Sequence, residues 1–151
     1  MDEAETIYAG IPGGPELLTW FGRVPTFHDA EIVSITLSRR APGTLSIHAW
    51  NMTREVDPKG YFILDRHAVV TFTLGDIMDV QLDGFSPQNV ISRLQIRRAP
   101  VRPDRQSYDA FRSSPQDYEI ELEPCYGLNG RIRCKHVAIS FVPAKPSDVV
   151  K

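Results

Sequence analysis

From Glu31 to Ser38 the chain alternates strictly, Glu31, Val33, Ile35 and Leu37 against Ile32, Ser34, Thr36 and Ser38. A period of two is what a half-buried strand requires, because successive side chains point to opposite faces of a sheet. The same period returns in most later segments and so restricts the fold more than any other feature. After a break at Ala41-Pro42-Gly43, Thr44 to Trp50 places Leu45, Ile47 and Ala49 on one face, which predicts a hairpin. Ala68 to Leu74 aligns Val70, Phe72 and Leu74, and Ile77 to Leu82 aligns Met78, Val80 and Leu82, with Gly75-Asp76 expected as a tight connection between them. Val90 to Ala99 alternates again. The stretch from Pro100 to Pro115 has prolines, charges and no period, and is expected to be a long exposed loop with a helical turn around Tyr108 to Phe111.

The last hairpin admits two registers. Tyr118, Ile120 and Leu122 alternate with Glu119, Glu121 and Glu123 ahead of the turn dipeptide Asn129-Gly130. A two-residue turn there would face Cys125 with Cys134 and set Leu122, Ile120 and Tyr118 against Val137, Ile139 and Phe141. A wider loop would oppose the glutamates to Arg131, Arg133 and Lys135. Exposed ion pairs contribute only about 0.2–1 kcal/mol each, so burial of the apolar faces favours the two-residue turn. A parity change between Cys134 and Val137 calls for a β-bulge near Lys135-His136.

Helix signals are too few for the crossovers of a parallel sheet. The expected fold is mainly β: a curved antiparallel sheet, sandwich or open barrel with one short N-terminal helix. That helix should run from Glu16 to Phe21, with Pro15 in its first turn, Gly22 as its stop, and Leu17, Leu18, Trp20 and Phe21 against the sheet. Residues 1–151 read as a single β domain with peripheral segments at 1–15, which holds the flexible Ile11-Pro12-Gly13-Gly14-Pro15, and at 143–151.

The formal charge of −2 over 151 residues gives no global reason to bind a polyanion, so nucleic acid is a poor fit as a partner. The acidic start lacks the features of a secretory signal, and no stretch has the length of a membrane-spanning helix; a cytoplasmic protein without membrane contact is expected. Two cysteines, Cys125 and Cys134, are too few for a disulfide framework or a structural zinc site, and are expected as free thiols.

Three clusters are candidates for chemistry or binding. His28, Asp29 and Glu31 place an imidazole beside two carboxylates, a set able to hold a divalent metal or relay a proton. The plainer reading is structural: Asp29 caps the backbone, or His28 makes a fixed hydrogen bond at the start of the strand. His48, His67 and His136 show no ligand spacing, so any metal site using them would depend on contacts made by the fold. The basic cluster Arg93, Arg97, Arg98, Arg102 and Arg105, with Tyr108 and Phe111 behind it, could grip an acidic protein, against the simpler reading of solvated strand-face charge. An acidic face, Asp76, Asp79, Asp83 and Glu119 to Glu123, is a further candidate surface. In Gly84 to Ile91, Gln88 and Asn89 are expected to bond the backbone of a turn while Phe85 plugs the core. No phosphate loop or nucleophile elbow is present, and no cofactor is expected.

Trp20-Phe21-Gly22, Pro25-Thr26-Phe27-His28-Asp29-Ala30-Glu31-Ile32, and Gly84-Phe85 with Gln88-Asn89-Val90-Ile91 together resemble the Immunity protein 50 family and related uncharacterised bacterial proteins, over roughly residues 16–142. The resemblance implies a cytoplasmic protein of a polymorphic-toxin system that neutralises a cognate toxin by stoichiometric binding, with no catalytic residue. The alternative is a small metal-dependent enzyme or metal-binding protein centred on His28, Asp29 and Glu31. Self-association through the edge strands of an open sheet is a third expectation.

Overall fold

The computed structural model describes residues 2–108 and 112–144. Two helices, α1 (Glu3–Ala9) and α2 (Gly14–Phe21), precede six strands: β1 (Glu31–Thr36), β2 (Gly43–Val56), β3 (Phe62–Asp83), β4 (Val90–Arg98), β5 (Tyr118–Tyr126) and β6 (Asn129–Pro143). A 3₁₀ turn, Pro103–Tyr108, lies in the long loop between β4 and β5. All strand pairs are antiparallel, and the sheet closes as a barrel in the order β1-β2-β3-β6-β5-β4.

The alternating residues do what their period requires. Leu45, Ile47, Val70, Phe72, Leu74, Ile91, Ile120 and Ile132 are fully buried inside the barrel. The expected first hairpin forms, with Thr36 opposite Thr44 and Ile32 opposite Ile47. Closure between β1 and β4 is short, with Glu31 opposite Val90. Around it, Ile32 N–H donates to the Asn89 carbonyl at 2.8 Å, Ile91 N–H to Ala30 at 3.0 Å and Asp29 N–H to Ile91 at 2.9 Å. Each described strand thus has a neighbour on both sides, with the β1–β4 seam closed at a single register pair.

The N-terminal segment departs from expectation. Residues 1–15 read as peripheral, yet α1 is capped by Asp2, whose Oδ1 accepts from Glu5 N–H at 2.8 Å, and Ile7, Tyr8 and Ile11 are buried in the core. The second helix behaves as its sequence suggests: Leu17 and Phe21 are buried, Leu18 and Trp20 pack beside them, and Gly22 ends it in the left-handed region. Gly13 and Gly14 supply close approach rather than flexibility. A Cβ on Gly13 would sit 1.7 Å from the Ile139 carbonyl oxygen and one on Gly14 1.8 Å from that of Tyr8. Ile139 N–H donates to Pro12 at 2.7 Å, tying this link to β6.

Two other expectations are corrected. Gly75-Asp76 does not connect two strands; β3 runs straight through as 22 residues. Asp76 adopts φ 52°, and a register shift between Ile77 and Asp79 leaves Met78 as the extra residue, so the bulge lies on β3 rather than at Lys135-His136. The β5–β6 register differs from both alternatives, with Glu119 opposite Arg133, Glu121 opposite Arg131 and Tyr118 opposite Cys134, while Glu123 faces Arg93 of β4 instead. Asn129 and Gly130 belong to β6, pairing with Asp83 and Leu82 of β3, and the reversal falls at Gly127-Leu128. There Leu128 is buried and its N–H donates to Asn89 Oδ1 at 3.0 Å. Cys125 is therefore exposed and remote in register from buried Cys134, and both are free thiols. Asn89 bonds the backbone as expected, accepting also from Ser86 N–H at 2.9 Å, but Phe85 is exposed rather than a core plug.

The glycine link offers a clean test. Gly13→Ala meets both a left-handed φ of 84° and the β6 backbone, whereas Gly22→Ala meets only a φ of 75° with open space around it. In urea unfolding, Gly22→Ala is expected to cost about 1–2 kcal/mol, and Gly13→Ala clearly more, with the excess measuring the contact to β6.

Candidate functional site

The basic cluster predicted as a partner surface is mostly occupied within the molecule. On the outer wall of the barrel the register lines up Asp79 of β3, Arg133 and Arg131 of β6, Glu119 and Glu121 of β5 and Arg97 of β4. The loop after β4 folds over this row. Glu119, only 2% exposed, accepts from Arg97 at 2.6 and 3.0 Å and from Arg102 at 3.0 and 3.1 Å. Arg105 holds Asp79 with two hydrogen bonds, at 2.7 and 3.0 Å. Asp117, 1% exposed, takes Arg133 at 2.9 Å, Lys135 at 2.8 Å and Ser114 N–H at 2.8 Å. Arg97 and Arg102 are thus counter-charges to the buried Glu119, and Arg105 to the half-buried Asp79. Phe111 and the side chain of Tyr108 lie outside the described residues.

Much of the acidic face is paired in the same way. Glu121 lies 3.4 Å from Arg97, Glu123 pairs with Arg93 at 2.5 Å, and Asp76 lies 3.4 Å from His136. Hydrogen bonding from Arg105 holds the Asp79 carboxyl below its ordinary range. Burial would raise Asp117 and Glu119, but the hydrogen bonds from Lys135, Ser114 N–H and Arg133, and from Arg102 and Arg97, outweigh it and both are lowered.

The His28, Asp29 and Glu31 string forms a corner between α2 and β1. Phe27 and Asp29 both take left-handed backbone, with φ of 62° and 64°. This turn buries Phe27 edge-on between Phe21 and Phe72, with ring centroids 6.1 and 5.9 Å away. His28 points outward: its Nδ1–H donates to the Ser92 carbonyl at 3.1 Å, and Nε2 lies 3.4 Å from Asp29 Oδ2. That is the fixed hydrogen bond of the structural reading. Glu31, by contrast, is the register partner of His48 across β1–β2. Among the described residues, no group of three or more His, Cys, Asp or Glu side chains converges as an ion site.

A separate cleft of about 780 Å³ lies between the tip of the β1–β2 hairpin, the β3 kink, β6 and the Gly10–Pro12 link. Its form follows from the irregular backbone. Gly75 lets His136 pass, since a Cβ there would be 3.1 Å from the His136 Cβ, and Asp76 turns the strand away. Arg39, Arg40, Arg98 and Lys135 line it, with Asp76 and His136. Arg98 donates to the Gln116 carbonyl at 2.7 Å and lies 4.5 Å over the Tyr118 ring. Lys135 is matched by Asp117. Arg39 and Arg40 are exposed and pair with no carboxylate among the described residues, so the cleft keeps a surplus of positive charge. Among the described residues of the predicted cluster, only Arg98 lines it. The sequence signal for the cleft was the Arg39-Arg40 pair next to the hairpin turn, which alternation alone marks merely as the end of a strand.

No helix of the described residues is long and apolar enough to cross a membrane. Set against protein-family models, curated proteins and solved structures, the chain matches none of them.

The buried carboxylates give two expectations. Glu119→Ala leaves Arg97 and Arg102 facing a void in the wall and is expected to destabilise by roughly 3–5 kcal/mol, measured by urea unfolding, whereas Glu123→Ala at an exposed pair should fall within about 1 kcal/mol. Because Asp79, Asp117 and Glu119 are all lowered, the unfolded chain binds more protons in acid. Stability should be fully present above their ordinary values of 3.8 and 4.5 and fall as pH drops below them, read as a decline in Tm that Glu119→Ala makes shallower.

Proposed function

We propose that this protein is a small cytoplasmic binding protein of bacterial type, an immunity protein that neutralises a cognate toxin by stoichiometric binding, and that the cleft beside Arg39 and Arg40 receives an acidic segment of that toxin. The observation that carries this reading is the contrast in how charge is used. Arg97, Arg102 and Arg105 are committed to Glu119 and Asp79, while Arg39 and Arg40 stand exposed on the rim of the cleft.

Uncommitted arginine favours this role physically. Its planar guanidinium presents several donors to a carboxylate, and complementary charge speeds encounter and rejects wrong partners. The reading joins the resemblance carried by the Trp20 to Ile32 and Gly84 to Ile91 motifs to a surface with suitable chemistry. It requires no catalytic group, cofactor or nucleic acid.

The test is a titration of the purified protein against the toxin encoded at the same locus, with the complex mass read by light scattering. A one-to-one complex is expected, weakened at least about tenfold, or roughly 1.4 kcal/mol, by the double change Arg39→Glu and Arg40→Glu and weakened further by salt. No complex at micromolar concentration would remove the immunity reading. Unchanged affinity of the double variant would move the interface off the cleft.

A further inference from the structure

His48 and His67 are nineteen positions apart in the chain and share no ligand spacing, but the β2–β3 pairing brings them together on the outer face of the barrel. His48 Nε2 lies 3.1 Å from His67 Nδ1. Their rings stack with centroids 5.2 Å apart, and Trp50 packs against both at 4.9 and 5.7 Å. His48 is only 7% exposed. Burial, and then the neighbouring His67, push its pKa below the ordinary 6.5, which keeps it neutral at neutral pH.

We propose that His48 Nε2 and His67 Nδ1 form a binding site for a divalent late transition-metal ion, copper(II) most tightly, with nickel(II) and zinc(II) following. Imidazole nitrogen suits these ions, and copper(II) leads the affinity order. An ion about 2.05 Å from each nitrogen would subtend roughly 100° across their 3.1 Å separation, between the tetrahedral and the square or octahedral angles. The two nitrogens now share one hydrogen bond. Binding needs a lone pair on each, so the bridging proton shifts by tautomerisation, His48 carrying it on Nδ1 and His67 on Nε2. A neutral pair therefore takes up the ion with no net release of protons. No third His, Cys, Asp or Glu closes the set among the described residues, so water fills the remaining positions. Glu31, opposite His48 in the β1–β2 register, is the nearest carboxylate by strand position on that face. The site is independent of the arginine cleft and of the partner reading.

Trp50 provides the readout, because a bound copper(II) ion within a few ångströms quenches indole fluorescence. The full-length protein, with Trp20→Phe to isolate the Trp50 signal, is titrated with copper(II) chloride at pH 7.5. Saturable quenching at one ion per chain is expected, weakened about tenfold or more by His48→Gln or by His67→Gln, and weakened at pH 5.5 as protons compete for the imidazoles. Far-UV circular dichroism checks that each variant is folded. In the otherwise unchanged protein, copper(II)-induced broadening of ¹H–¹⁵N spectra should centre on His48, His67 and the Trp50 indole. Broadening centred on His28 or His136, quenching unchanged in both folded variants, or no quenching up to millimolar copper(II) would each overturn the proposal.

Discussion

Two carboxylates buried in the outer wall of the barrel, Asp117 and Glu119, set conditions the rest of the structure has to meet. An ionised group taken out of water is strongly destabilising unless hydrogen bonds and opposite charge replace the lost solvation. The replacement comes from three directions: Arg133 and Lys135 across the β5–β6 pair, Arg97 across the β4–β5 pair, and Arg102 from the loop above. That requirement accounts for the wide register of the last hairpin. It also accounts for the placement of an aperiodic loop against the sheet, since Arg105 holds a second point of that loop to Asp79.

The same matching decides which charges remain for a partner. A cluster of arginines looks like a binding surface when its carboxylates are read as a separate acidic face. Once the strands pair, Arg97 faces Glu119 and Arg93 faces Glu123 in register, and most of both surfaces cancels. Positive charge is left over beside a turn and a kink, where pairing is interrupted. The β1–β2 hairpin tip contributes Arg39 and Arg40, and the β3 bend at Gly75 and Asp76 opens the concavity beside them.

Strand existence was legible because each apolar alternation has one solution, a strand with its apolar side inward, and Leu45, Ile47, Val70, Phe72 and Leu74 all obey it. The α2 helix was legible from Pro15 and Gly22, whose backbone preferences act locally. Legibility failed where a distant partner decided the outcome. Gly75-Asp76 has the composition of a turn, but β6 pairs with β3 on both sides of it and carries the strand through as a kink, where the β2 ladder has ended at Leu74. Asn129-Gly130 has the strongest local turn signal in the chain, yet Gly130 is needed beside Gln81, whose carbonyl oxygen would lie 1.8 Å from any Cβ there. The His28 motif, conspicuous as chemistry, is a corner that buries Phe27.

The sequence by itself determined the antiparallel β class, the first hairpin, the α2 helix and the inward-facing residues, because these follow from periodicity and from the φ preferences of proline and glycine over a few residues. Tertiary structure alone decided the closed barrel, the docking of α1 on its core, the β5–β6 register, the pairing of the loop arginines, the cleft and the meeting of His48 with His67. Each of these depends on a Coulombic, steric or hydrogen-bonding partner many residues away, and such partners leave no trace in local composition until the strands have paired.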